Sequence, residues 1–255
     1  MEKIEVAIVA ALDDEIRIIK SKLEIDVKVH IRPSMFMLGE YMGMRILLVR
    51  SGIGPSAMTR ACLYLLKNYQ IKSVIHVGYC GGCDPRLICG DMIIAQHAVD
   101  SQTNESFEIP SKNVARATEI CRKAGLRSRL GTMVTLHEPV PTPHEKAYLG
   151  TKYGAAGIDM ESASLAAGMA KAKIDYVIAR SVLDPLDTAL PNFGNAIDES
   201  GEIAAFSMAE NLIKNPKDLI KIPQISYLAM QARQSITSFV DAWLEELCHW
   251  QCVEQ

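Results

Sequence analysis

The chain has 255 residues, 49% of them hydrophobic and 22% charged, with 27 Lys plus Arg against 30 Asp plus Glu and a net charge of -3. That is enough chain for one domain with a large core, and the charge balance excludes the broad positive field on which nucleic-acid binding depends. The first apolar run, residues 6–12, meets acids too soon for a signal peptide or a membrane span, so a cytoplasmic protein is expected, its seven cysteines read as reduced thiols.

In chain order, residues 5–11 are continuously apolar after Glu5, as in a strand buried on both faces. Residues 12–23 place Leu12, Ile16, Ile19 and Leu23 on one helical face. Residues 35–38 and 45–50 read as strands joined by a turn over 39–43. Gly52-Ile53-Gly54 breaks the chain before a helix over 55–69, with Pro55 well placed in its first turn. Strands follow at 73–78 and 91–99, then a helix at 114–124 and a strand at 129–135. A helix at 143–149, a small-residue helix at 162–172 and a strand at 175–182 complete the pattern. Residues 185–201 read as loop, and helices follow at 202–214 and 224–247 in a region carrying Tyr227, Phe239, Trp243 and Trp250.

Strands alternating with helices predict one α/β domain, a central mixed, mostly parallel sheet flanked by helices. Residues 1–187 form its core and 188–255 a helical C-terminal extension. The extension is expected to pack on the core or on another subunit. Its apolar side chains also allow a substrate-facing role or a weak membrane-surface contact. Ligands of such sheets sit outside the carboxyl ends of the strands, where this chain has Asp13-Asp14-Glu15, a glycine-rich loop over 78–82 and Leu183-Asp184-Pro185.

Each of these segments also has an ordinary reading. Acids in a first helical turn complement the macrodipole, glycines after a strand make a tight turn, and Asp159 before Met160-Glu161 caps a helix. Cys80-Gly-Gly-Cys83 has ligand-like spacing, with Cys89 and His76 nearby, but no second ligand pair beyond Cys248, His249 and Cys252. Ordinary thiols and no metal are expected.

Together the segments carry a resemblance. AALDDE after the first strand, SGIG before a helix, VGYCGG after a strand, GD opening the next strand, then DMES and RSVLD occur in one order. In that order the chain resembles the nucleoside phosphorylase and nucleosidase superfamily, above all its methylthioadenosine/S-adenosylhomocysteine nucleosidase branch. TLHEPVPTPHEK, IDMESAS and LDPLDTALP further resemble the hopanoid-associated nucleosidases, which are thought to release adenine from adenosylhopane.

The resemblance implies an enzyme that hydrolyses the N-glycosidic bond of a purine nucleoside, a 5′-substituted adenosine, with no cofactor. It implies Glu15 as the acid that activates water and Asp184 as the acid that supports or protonates the purine. Glu161, Met160 and Arg180 would surround the ribose, and Gly81, Pro139 and Val140 the base. Gly54, His76 and Tyr79 would line the nucleophile site. Carboxylates near the sugar and an acid near the base suit a reaction that builds positive charge on one and negative charge on the other.

The chain departs from the family in several places. Tyr79 stands where a small Ser is usual, His76 where phosphorylases tend to carry an Arg for phosphate, and Leu183 where a Ser orients the acid. Pro139 and Val140 replace an aromatic-aliphatic pair. The alternatives are a phosphate-dependent phosphorylase and a catalytically silent nucleoside-binding or assembly subunit. A homo-oligomer, a dimer first, is expected.

Overall fold

β1 (Glu2–Ala10) runs between two parallel neighbours, β4 (Met44–Arg50) and β5 (Tyr69–Gly82). Its residues from Val6 to Ala10 are buried, which is why they are apolar without alternation. The structure, a computed structural model, describes residues 2–139, 142–188 and 222–253. The parallel centre of the sheet is β4-β1-β5-β10, with β10 (Asp175–Asp184) on the far side of β5.

Beyond β10 the sheet curls. β10 pairs antiparallel with β6 (Met92–Asp100), β6 parallel with β8 (Ser128–Thr135), and β8 parallel with β9 (Ala155–Asp159). β9 then returns antiparallel to β5 at Gly81 and Gly82, closing a five-stranded ring. On the other side β3 (Ser34–Tyr41) and β2 (Glu24–Ile31) extend the sheet antiparallel, and β7 (Ser106–Glu108) pairs with β6. This is the mixed sheet flanked by helices that the alternation predicts.

The helices are α1 (Asp13–Ser21), α2 (Pro55–Asn68), α3 (Ser111–Lys123), α4 (Pro143–Tyr153), α5 (Ser162–Ala172) and α6 (Ile222–Val253). α2 packs on α5, while α6 packs on β10, α1 and α3. In α6, Ala232, Ile236, Phe239, Val240, Trp243 and Leu244 recur at helical spacing and are all buried, the last five in the main core. Its polar side is tied down by Arg233 to Asp14, Lys22 to Asp241 and Arg116 to Glu246, with the Arg116 guanidinium 4.5 Å from the centre of the Trp243 ring.

Three expectations need correction. The segment 78–82 is not a loop but the end of β5, held by β10 on one side and β9 on the other. The turn over 39–43 shrinks to Met42 and Gly43, because residues 39–41 stay paired with β4, and Gly39 and Glu40 with β2 as well. β2, β7 and β9 have no counterpart in the sequence reading; β2 is largely exposed and β9 is only five residues long. The helix at 202–214 and most of the loop at 185–201 lie outside the described residues, as does the Trp250 side chain. No described helix is long and apolar enough to cross a membrane.

Candidate active site

Three consecutive acids leave the end of β1, and the fold sends each in a different direction. Asp13 reaches back 3.0 Å to the buried Arg50 at the end of β4. Asp14 turns outward to the Tyr79 hydroxyl, which donates to its Oδ2 at 2.7 Å, and to Arg233 of α6 at 2.6 Å. Glu15 turns inward and is buried. The main-chain N–H groups of Ala11 and Leu12 donate to its Oε2 at 2.9 and 2.8 Å, and that of Tyr79 to its Oε1 at 2.7 Å.

As the third residue of α1, Glu15 therefore does what a first-turn acid does, satisfying orphan N–H groups at the helix start. The same carboxylate also faces a cavity. Burial pushes its pKa up, against the pull of the Arg180 charge and of the three N–H donors.

Behind Glu15 lies a buried charge cluster built around Arg180 of β10. Its Nη2 meets Asp159 Oδ2 at 2.6 Å, Glu161 Oε2 at 3.3 Å and His76 Nε2 at 3.0 Å, and its Nη1 donates to the Val77 carbonyl. Gly78 makes room for this: a Cβ there would lie 2.0 Å from Arg180 Nη1 and 2.7 Å from Glu15 Oε1. Glu161 is held from the other side by the N–H of Gly54, at 2.8 Å from Oε1. Gly54 sits at φ 90, which glycine adopts at little cost, immediately before the Pro55 that opens α2. Burial raises the Glu161 pKa, Asp159 and Glu15 push it the same way, and Arg180 opposes them.

At the opposite end stands Asp184, the last residue of β10. Its Oδ2 accepts from Lys146 Nζ at 2.9 Å. Lys146 is fully buried and also donates towards the main-chain carbonyls of Asp184, Pro185 and Thr188, at 3.3, 2.6 and 2.8 Å. It is the one buried side chain of α4. Burial raises the Asp184 pKa and Lys146 opposes the rise, leaving it at about 6.

The two ends face one cavity of about 230 Å³. Glu15, Tyr79, Gly81, Pro139, Met160, Glu161 and Asp184 all line it, so the structure brings together most of the residues singled out in the sequence. Leu12, Ile53, Leu136, Ile158 and Leu183 give it apolar walls, and Glu138 and Asp159 add carboxylates. Among the described residues, no lysine, arginine or histidine lines it. Val140 lies outside the described residues.

Three of the singled-out residues do not reach the cavity. Arg180, expected beside the ribose, is fully buried behind Glu161, with its guanidinium engaged by Asp159, Glu161 and His76. His76, expected at the nucleophile site, is fully buried in β5. Since arginine only donates, His76 Nε2 must accept, and the ring is neutral; burial and Arg180 hold its pKa well below the usual range. It supplies no cation for phosphate. Gly54 acts through its N–H on Glu161 rather than as a wall.

Sequence reasoning missed Lys146, although it lies in the quoted TPHEK stretch, and saw Asp159 only as a cap. Asp159 does accept from the N–H of Ser162 at 3.3 Å, but its stronger partner is Arg180. Cys80 of β5 and Cys83 just past its end are free, buried thiols, and burial pushes the Cys83 pKa up to about 12.

Residues 5–213 match the family described as the Phosphorylase superfamily. The chain belongs to that superfamily. One relative, the 5′-methylthioadenosine/S-adenosylhomocysteine nucleosidase of Tolumonas auensis, is 27% identical over 232 residues, covering 84% of this chain and all of the relative. Among solved structures, that nucleosidase from Neisseria meningitidis, in complex with methylthio-immucillin-A, superposes with a TM-score of 0.70 at 19% identity, covering 94% of this chain and 99% of the other. The futalosine hydrolase of Helicobacter pylori gives a TM-score of 0.69, also at 19% identity, over 94% and 97%. At such identities the superpositions establish the fold.

Proposed function

We propose that this superfamily member is a nucleosidase that hydrolyses the N-glycosidic bond of a purine nucleoside and releases adenine. Its substrate in this reading is a 5′-substituted adenosine with an apolar 5′ group, of the adenosylhopane kind. The observation that carries hydrolysis is the lining of the cavity. A wall bearing Glu15, Glu138, Asp159, Glu161 and Asp184 and, among the described residues, no cation repels a phosphate dianion and accommodates neutral water. The name of the Tolumonas auensis relative points the same way.

In this reading Glu15 takes the proton of the attacking water on the face of the sugar away from the base. Three fixed N–H donors keep its carboxylate in place. As the bond to the base breaks, the sugar becomes cationic and the base anionic. Glu161 accepts from the ribose hydroxyls and offsets the sugar's charge, held in place by Arg180 and Gly54. Asp184 delivers a proton to the purine ring. Its pKa of about 6 suits proton transfer near neutrality.

The deciding experiment is base release from a panel of nucleosides with and without phosphate. Phosphate-independent release with free ribose is the expected result; ribose 1-phosphate as the main product refutes hydrolysis, and tight binding without turnover refutes the enzyme. The 5′ group is tested by a series of 5′-alkyl adenosines. Ile53 and Leu12 give the cavity apolar walls, so efficiency should climb with chain length, at about 0.8 kcal/mol per buried methylene. A series in which methylthioadenosine is best removes the long apolar group from the reading.

A further inference from the structure

α4 is a surface helix whose one buried side chain is a lysine. An ammonium in a core needs a counter-charge and acceptors for all its protons. Lys146 finds both in one place: Asp184 Oδ2, and the carbonyls of Asp184, Pro185 and Thr188. The three carbonyls run from the last residue of β10 into the segment that follows it, and nothing in their local sequence requires a lysine from another helix. We infer that Lys146 is the positioning residue for Asp184: it fixes the carboxylate through Oδ2, presents Oδ1 to the base, and supplies the positive charge that sets when Asp184 carries its proton. The inference rests on the nucleosidase reading only for the identity of the base.

The groups facing Asp184 leave Lys146 as the dominant charge. β5 contributes Cys80, the residue just past it Cys83, and the turn before β6 Cys89; burial keeps these thiols protonated. Glu138, Asp159 and Glu161 line the same cavity, but the charge that acts on Asp184 is that of Lys146. Burial alone would push the Asp184 pKa higher still and make its proton harder to give up. The Lys146 charge counters this, so Asp184 can both donate to the base and be recharged. Since neither oxygen of Asp184 is bonded by the side chain of its neighbour Leu183, orientation from α4 replaces orientation from the adjacent residue.

The test measures Asp184 directly. Infrared difference spectra between the protein and its Asp184→Asn variant report the protonated carboxyl band of Asp184 as pH is varied, without any need for turnover. Replacing Lys146 by Met removes the charge, and the midpoint of that band should rise by about one to three pH units. The alkaline limb of kcat/KM should rise with it. Lys146→Arg keeps the charge and should hold the midpoint near its original value while lowering kcat through changed geometry. Should Lys146→Met not fold, Lys146→Gln, which keeps an N–H donor for the carbonyls, gives the same reading. A midpoint unmoved in a folded, uncharged variant overturns the inference and reduces Lys146 to a brace for the turn. Absence of base release in the parent protein, with the midpoint still shifting, refutes the nucleosidase reading instead and leaves the pair standing.

Discussion

Glu15 and Asp184 are two buried carboxylates on one cavity, and the protein restrains them by opposite means. Glu15 is held by three main-chain N–H groups, with its nearest full positive charge, Arg180, shared among other acids. Asp184 is held by a lysine that, among the described residues, meets no second carboxylate. Main-chain dipoles orient a group without adding net charge, whereas a lysine orients and neutralises together. The first arrangement suits a base that must stay in line with a water; the second suits an acid whose proton must come and go.

The sharpest way to break that comparison is at Glu15. Glu15→Gln places an amide NH₂ against N–H donors and removes the base, so turnover should fall by about two to four orders of magnitude. Steady-state kinetics alongside circular dichroism checks this; a folded variant with unchanged turnover takes Glu15 out of the mechanism. Asp184→Asn keeps the shape but has no carboxyl proton to give. A loss of about two to three orders of magnitude in kcat, with KM changed far less, is expected. Weaker binding with normal turnover would make Asp184 a contact for the base alone.

The pH profile tests both ends together. In the proposed reaction Glu15 must be ionised to take a proton, and burial raises its pKa, so activity should be lost as pH falls through a value above the ordinary carboxylate range. Asp184 must be protonated to give one, so activity should also be lost as pH rises through about 6. The result is a narrow bell in the mildly acidic range, its limbs belonging to the coupled set of acids. A plateau extending well above neutrality contradicts the role of Asp184. The smallest effect is expected at Glu161, whose carboxylate can accept from two adjacent hydroxyls. Glu161→Gln should shrink the penalty for a 2′-deoxy substrate, measured as a ratio of kcat/KM values; a penalty of undiminished size places the ribose elsewhere.

The C-terminal region makes a second contrast. Phe239, Trp243 and Leu244 look equally suited to a greasy substituent, a subunit interface or a core, and helical periodicity alone does not choose among them. In the structure they are buried against the main core, so they are unavailable to a substrate. α6 also touches the site from behind, since Arg233 grips Asp14, which grips the Tyr79 hydroxyl. Tyr79, the bulky residue at that position, is thus anchored by the C-terminal helix.

The sequence by itself determined the strands and helices whose apolar pattern is long and regular, notably β1, α2, α5 and β10, and through motif order it brought Glu15, Glu161 and Asp184 together as candidates. Such patterns are local: a buried strand needs continuous apolar residues and a helix a repeated face, whatever the rest of the chain does. The tertiary structure decided the partners. Arg180 and His76 read alike as polar residues near a strand end, yet both lie behind the wall, because β10 and β5 are neighbours and their inward side chains meet there. Lys146 lies 38 residues before Asp184 on a helix with no apolar stripe, so no periodicity marks it. Only closure of the ring through β9 and the docking of α4 put its ammonium beside that carboxylate, and an ion pair across such a separation leaves no trace in the local pattern of either segment.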